Sequence, residues 1–573
     1  METHSKNSAQ AKTCQNCKQD FTIEQDDFDF YDRMKVPPPT WCPQCRFMRR
    51  LSFLNWFSLY KRKCDKCEAS MISTIHGESP LKVFCPKCWW ADDWDGTEYS
   101  IDYDSNRPFL EQMLELRSKS TFMSNESLWS TLVNSPYVNA TAYQKDCFMV
   151  FNADYGEKNA YCMVYAHLKE SLDGYRMKNS ELCYECIGMY KSYRCIFSEE
   201  LDSCTNVLFS KSCSGCTDCF GCINLRNKKN CIFNIEYSKD EYEIKIKKMR
   251  LDTREGIEKA LKDSFEFWMK HPHRATVGNS LNVNTTGDFV YESKNTKDAY
   301  MVSSAEDSRY VQMLAMATTK NSYDYTNWGN GVENLYECLT VGEGAYNNKF
   351  CVQCWPQAID NEYCLYTIQS KDCFGCVNLK RKQYCILNKE YSKEEYFKLK
   401  EKIIEDMKNN PYVDSYKREW MYGELLPYEF SPFAYNETIA QYYFPKNKET
   451  AEKSGVTWFE AKKTDHAITL HYSKLPKALS EVDDTILNEI IECEECGNGY
   501  KFNELELFLY RKIQVPLTTK CWKCRFARRF KRVNGPVLYD RSCAKCETAI
   551  TTSYAPDRSE IVYCEKCYQE EMS

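Results

Sequence analysis

CQNCKQDFTIEQDDFDFYDRMKVPPPTWCPQC (14–45) carries two C-x-x-C pairs, and CEECGNGYKFNELELFLYRKIQVPLTTKCWKC (493–524) carries two more at the same separation. Each stretch opens an eight-cysteine cassette. In the first, Cys14, Cys17, Cys42 and Cys45 are followed by Cys64, Cys67, Cys85 and Cys88. In the second, Cys493, Cys496, Cys521 and Cys524 are followed by Cys543, Cys546, Cys564 and Cys567. One offset, 479 residues, relates every cysteine of the first cassette to its counterpart in the second.

A C-x-x-C pair forms a tight knuckle whose thiolates converge on one ion, and two knuckles complete a tetrahedral site. Sequential pairing of the knuckles predicts two sites per cassette. Cross-braced pairing, first with third and second with fourth, also fits the spacing. Sequential pairing is preferred because each half reads as a complete short ribbon. A redox dithiol normally stands alone beside a βαβ pattern, whereas this spacing is duplicated throughout. The sixteen cysteines are therefore read as ligands of Zn2+, about four ions per chain. A four-thiolate site leaves no position for a catalytic water, so the zinc is expected to fold protein and not to do chemistry. The stretch between the first two knuckles, with Phe21, Phe28, Tyr31 and Pro37-Pro38-Pro39, reads as a polar and aromatic loop.

At 573 residues the chain exceeds one compact core, and three or more domains are expected. Hydrophobic content of 43% with 28% charged residues suits a globular protein, and no apolar run is long enough to span a bilayer. The start, METHSKNSAQAK (1–12), is polar and lacks the apolar region of a secretory signal. Thirty-four cysteines without such a signal imply reduced thiols, metal binding and a cytoplasmic setting. The net charge of −6 excludes a uniformly basic nucleic-acid coat but not local basic patches.

The centre is itself duplicated. TDCFGCINLRNKKNCIFNIEYSKDEY (217–242) matches KDCFGCVNLKRKQYCILNKEYSKEEY (371–396) at an offset of 154. Each copy ends in a capping box, Ser238 with Glu241 and Ser392 with Glu395, which predicts a helix to follow. Tyr396, Leu399, Ile403 and Met407 keep one apolar stripe on the second of these. Ahead of the first, Cys186, Cys195, Cys204, Cys213, Cys222 and Cys231 recur every nine residues. Val341, Phe350, Ile359, Ile368, Val377 and Ile386 do the same in the second copy. Such periodicity suggests stacked β-arches, two nonads per coil of a β-solenoid, with small thiols as an interior ladder. The run Cys213, Cys216, Cys219 and Cys222 resembles an iron–sulfur ligand set, but Thr367 and Ser370 stand at the places of Cys213 and Cys216 in the other copy. His271 and His273 read as residues of a surface turn.

The expected fold is mainly β with some α: four-cysteine ribbons at both ends flank a duplicated β-solenoid-like region with short helices. Its segments are tandem ribbons (1–92), an acidic and aromatic connector (93–135), two central copies each closed by a helix (136–265 and 266–410), an aromatic and Pro-rich linker (411–485) and tandem ribbons again (486–573). Within the connector, FLEQMLELRSK (109–119) predicts an amphipathic helix through Phe109, Met113, Leu114 and Leu116.

A cationic run follows the second knuckle of each cassette: CRFMRR (45–50), with KRK (61–63) beyond it, and KCWKCRFARRFKR (520–532). Arginine interleaved with Phe526 and Phe530 suits phosphate contact plus base stacking. Arg46, Arg49, Arg50, Arg525, Arg528, Arg529 and Arg532 are accordingly candidates for contact with RNA or a ribonucleoprotein. The competing reading pairs them with carboxylates of this same chain, which would favour a protein–protein adaptor working through the central surface. No phosphate loop, Ser/His/Asp arrangement or spaced carboxylate pair is legible, so no catalytic residue is assigned and an enzyme is not expected. A membrane partner is not expected, and the oligomeric state is not legible.

CQNCKQDFTIEQDDFDFYDRMKVPPPTWCPQCRFMRR and ECEECGNGYKFNELELFLYRKIQVPLTTKCWKCRFARR resemble the zinc-ribbon domain of many uncharacterised bacterial proteins. The CFGC copies, with SPFAYNETIAQYYFP, look like a larger family of small-genome bacteria that carries these parts in this order. The resemblance implies zinc binding and a bacterial cytosolic setting, and brings no activity with it. Trp522 departs from the usual C-P-x-C knuckle while leaving the thiolates intact.

Overall fold

The computed structural model describes residues 8–278, 281–314, 316, 318–460 and 467–572. The start at 1–7, residues 279–280 after the histidine turn and residues 461–466 of the linker lie outside the described residues.

The chain forms two compact units, each assembled from separated stretches. Unit 1 takes residues 1–124, 276–460 and 536–538, and unit 2 takes 125–275, 461–535 and 539–573. The N-terminal cassette therefore shares a unit with the second central copy, and the C-terminal cassette with the first. The composition is mixed, 25% helix and 30% strand, and the strands lie in separate sheets, none closed.

In unit 2 six parallel strands follow chain order from Val138–Lys145 to Glu199–Asp202. Their register advances by twelve: Val138 faces Val150, Phe151 faces Met163, and Tyr175 faces Ile187. A second sheet keeps this step, with Cys219 opposite Cys231. From Ala140 to Phe233 every third residue has positive φ, mostly near +50°. That conformation costs an L-residue about 1 kcal/mol, and it persists only where surrounding bonds impose it. Here the imposition is regular, since the N–H of such a residue donates to the carbonyl thirteen positions back: Asp173 to Ala160 at 3.0 Å, Phe197 to Tyr184 at 2.9 Å.

From Thr141 to Cys222 the residue after each positive-φ position is buried, and Cys147, Cys162, Cys186, Cys195 and Cys204 occupy such places at 2% exposure or less. This grain explains the nine-residue rhythm without the eighteen-residue repeat read from it. The thiol of Cys186 donates to the carbonyl of Cys195 at 3.3 Å, that of Cys204 to Cys213 at 3.5 Å and that of Cys222 to Cys231 at 3.6 Å. Nine is the twelve-residue step less one three-residue corner, so the strand offset is twelve and not eighteen. In unit 1 the step varies: Asp288 faces Tyr300, Ala305 faces Thr319, Tyr323 faces Tyr336, and Cys373 faces Cys385. These steps of twelve, fourteen, thirteen and twelve let the cysteines drift out of strict spacing there.

Both capping boxes form and start helices Lys239–Lys248 and Lys393–Asn409, the latter burying Tyr396, Ile403 and Met407 with Leu399 half-buried. The connector helix spans Phe109–Lys119, with Phe109, Met113 and Leu116 buried and Leu114 half-buried. The stretch read as a loop between the first knuckles contains a helix, Gln25–Met34, capped reciprocally by Glu24 and Asp27. Phe28, Tyr31 and Met34 recur every third residue along it and are buried, a helical signal that the neighbouring prolines obscure. Its counterpart in the second cassette is Glu504–Ile513.

Candidate metal centres

The sixteen cassette cysteines gather into four groups, paired sequentially: Cys14, Cys17, Cys42 and Cys45; Cys64, Cys67, Cys85 and Cys88; Cys493, Cys496, Cys521 and Cys524; Cys543, Cys546, Cys564 and Cys567. Within each group the sulfur atoms all lie within 4.8 Å of one another. One sulfur pair in each stands at 3.8 Å: Cys17 with Cys42, Cys67 with Cys85, Cys496 with Cys521, and Cys546 with Cys564. Four sulfurs about 2.3 Å from a tetrahedral ion are separated by about 3.8 Å, so the donor set fits a zinc-sized ion.

Backbone donors are also in place. The third cysteine of each group directs its N–H at the first sulfur: Cys42 at Cys14, Cys85 at Cys64 and Cys564 at Cys543 at 3.2 Å, and Cys521 at Cys493 at 3.3 Å. Such bonds favour the thiolate over the thiol. An ion held here would supply charge neutralisation and a fixed knuckle geometry.

Helix Pro43–Leu51 begins at Cys42, contains Cys45 in its first turn, and then carries Arg46, Arg49 and Arg50. These three arginines, expected to reach RNA phosphate, are 1%, 0% and 0% exposed. Arg46 meets Asp324 at 2.9 Å, and Arg50 spans Asp324 at 3.2 Å and Glu337 at 3.4 Å. Arg49 reaches Glu337 at 2.7 Å and Glu424 at 3.0 Å, and lies 4.5 Å over the ring of Trp41.

Unit 2 repeats the arrangement. Helix Trp522–Phe530 brings Arg525 to Asp173 at 2.8 Å and to Glu506 at 3.1 Å. Arg528 meets Glu185 at 2.8 Å, and Arg529 spans Asp173 and Glu185, both at 3.0 Å. Arg532 pairs with Glu199. Arg525 and Arg529 are each 1% exposed, while Arg528 and Arg532 are partly exposed beside their carboxylates. All seven candidate arginines are thus engaged by acids of their own unit. Burial works against ionised carboxylates here, yet Arg528 and Arg529 hold Glu185 down at about 2. Glu506, with Arg525 at its oxygen, is pushed up by burial to about 7.

Sequence reasoning missed the acids because Asp173 and Glu185, like Asp324 and Glu337, become neighbours only through the strand step. All four sit at positive-φ corners. A signal was present on the arginine side, since positions i, i+3 and i+4 share one helix face.

Every cysteine outside the cassettes, from Cys147 to Cys385, is buried. The run Cys213, Cys216, Cys219 and Cys222 does not gather into a four-thiol site among the described residues. Hydroxyls take equivalent places, as where Ser198 donates to the carbonyl of Val207 at 3.2 Å and Thr367 to that of Cys376 at 3.3 Å. His273, expected on a surface turn, is 4% exposed in strand Pro272–Arg274, paired with Ile561–Tyr563. Burial depresses its pKa to about 3. Among the described residues no helix is long and apolar enough to cross a membrane.

Comparison with family models finds no match, and comparison with curated proteins finds none. Among solved structures, one described as a candidate acetyltransferase from Desulfovibrio desulfuricans aligns over 52% of this chain and 86% of that chain, at 9% identity and a TM-score of 0.09. So slight a likeness carries no argument about fold or activity.

Proposed function

We propose that this chain is a non-enzymatic scaffold for protein–protein interaction, its ribbons folded around zinc and its central copies coiled as β-solenoids. One observation carries the choice between partners: the arginines that would have met phosphate are committed to Asp173, Glu185, Glu199, Asp324, Glu337, Glu424 and Glu506. Releasing them would leave buried carboxylates unpaired, at a cost of about 3–5 kcal/mol for each broken pair. Zinc is favoured as the ion by the all-thiolate, tetrahedral donor set. The ribbon helix then couples metal to sheet, since ligand and arginine are adjacent at Cys45-Arg46 and at Cys524-Arg525.

The test is fluorescence anisotropy of a generic single-stranded RNA across a salt series. The scaffold reading expects no saturable binding even at low salt. Binding that weakens steeply with salt would overturn it in favour of a nucleic-acid partner.

A further inference from the structure

Unit 1 uses paired indoles to hold its own cations. The rings of Trp41 and Trp420 stand 5.3 Å apart at 42°, and the guanidinium of Arg49 lies 4.5 Å and 5.2 Å from their centroids, with Glu424 at 3.0 Å. The rings of Trp89 and Trp94 stand 5.8 Å apart at 64°, and the ammonium of Lys380 lies 5.2 Å and 4.2 Å from their centroids. That ammonium also donates to the carbonyls of Trp89 at 2.8 Å and Ala91 at 3.0 Å. In each case one positive charge meets two indoles and an oxygen acceptor, an arrangement that the ring quadrupoles favour. All four indoles are at most 8% exposed, so both corners are sealed inside the unit.

A third pair has similar geometry and lies at the surface. Trp328 and Trp355 stand 6.0 Å apart at 67°, both partly exposed, and Trp90 adds a wall 6.4 Å from Trp355. Their approach depends on Gly342, where a Cβ would stand 2.5–3.0 Å from three atoms of the Trp328 ring. The indole therefore rests against the backbone of the neighbouring corner and reaches Trp355 beyond it.

An acid stands at the same place. The N–H of Glu343 donates to the carbonyl of Gly329 at 3.2 Å, and its own carbonyl accepts from the N–H of Gln357 at 2.9 Å. Glu343 thus sits between the corners that follow the two tryptophans. Its side chain is exposed and makes no hydrogen bond or ion pair among the described residues. Among the same residues no lysine or arginine lies over Trp328, Trp355 or Trp90.

We propose that this corner is the seat for a lysine or arginine side chain presented by a partner protein. The chain's own usage argues for that occupant, since two indole corners of this unit already hold such a cation. The third offers comparable ring spacing beside an acid that the chain leaves unpaired. The aliphatic stem of the incoming side chain would cover the indole while its charged head meets Glu343. Partial exposure leaves the seat open to a partner, where Trp41 and Trp89 are closed. The inference rests on the scaffold reading and names a contact that reading lacks.

The probe is fluorescein-labelled Val-Asn-Leu-Lys-Arg-Lys-Gln, the sequence at 377–383 that presents Lys380, titrated into the zinc-loaded full chain. Saturable binding is expected, weakened about tenfold by Trp355→Ala and about fivefold by Glu343→Gln. The same peptide with norleucine at its three cationic positions should not bind. Glu343→Gln alters one exposed side chain and should leave the thermal transition unchanged, so it decides the matter even where Trp355→Ala unfolds the chain. No saturation, equal binding of the norleucine peptide, or binding indifferent to Glu343→Gln would overturn the seat while leaving the RNA result, and hence the scaffold reading, untouched. Displacement of the probe by choline at a lower concentration than by unlabelled peptide would assign the corner to a small organic cation and also overturn the proposal.

Discussion

Arg525 Nε lies 2.8 Å from Asp173 Oδ2, with neither side chain more than 1% exposed. The same bond recurs in unit 1 between Arg46 and Asp324 at 2.9 Å. In both units the arginine four residues on, Arg529 or Arg50, spans that aspartate and a glutamate one strand step further along. The metal knuckle thus ends in a three-pronged clamp on the corners of its own sheet, and the two units use one geometry twice.

Breaking one prong should be costly. Asp173→Asn leaves Arg525 and Arg529 without their shared counter-charge, and a loss of about 3–5 kcal/mol is expected. Chemical denaturation followed by fluorescence checks it. A change below about 1 kcal/mol, the range of an exposed pair, would contradict the clamp.

Metal removal should act through the same helices. Elemental analysis of the purified chain is expected to return about four zinc per chain. Cys45→Ser should lose one ion and lower the thermal transition, and a strong chelator should lower it further. Two ions or fewer per chain would contradict the four-centre reading.

The interior thiols should tolerate a hydroxyl and refuse bulk. Cys204→Ser keeps a donor for the carbonyl of Cys213, in the manner of Ser198, and should cost about 1 kcal/mol or less. Cys204→Leu overfills the corner and should cost about 1–3 kcal/mol. Thermal denaturation of the two variants side by side decides, and equal effects would argue against packing as the role of the thiol.

Acid should weaken unit 1 through Glu362. Burial opposes its ionised form, but Lys400 and Lys349 together hold its pKa near 2, below the ordinary value of 4.5. The folded state therefore binds its proton later than the unfolded state. Its stabilising contribution is present above pH 4.5 and is lost as pH falls toward 2. Glu362→Gln should lower stability at neutral pH and flatten the stability profile across that window. An unchanged slope would refute the assignment.

The cysteine spacing made the sixteen candidate ligands and their eight knuckles legible, because a knuckle is a local structure, but it fitted sequential and cross-braced pairing alike, and the sequential grouping comes from the positions of the sulfurs. The capping boxes at Ser238 and Ser392 were legible for the same reason, as was the connector helix through Phe109 and Met113. The nine-residue rhythm was visible, but its cause was not: nine marks a thiol-to-carbonyl contact between successive strands, while the strand offset is twelve. The helix Gln25–Met34 was hidden by the prolines that follow it, although Phe28, Tyr31 and Met34 already shared a face.

The sequence by itself determined where the candidate metal ligands stand and that both cassette and centre are duplicated, since each rests on residues close along the chain or on plain identity of pattern. Only the tertiary structure decided what the arginines do. Arg46 is 278 residues from Asp324, and Arg525 is 352 residues from Asp173. Whether a cation faces solvent or a buried carboxylate depends on which strand corner the fold carries to it, and local sequence holds no record of that distance.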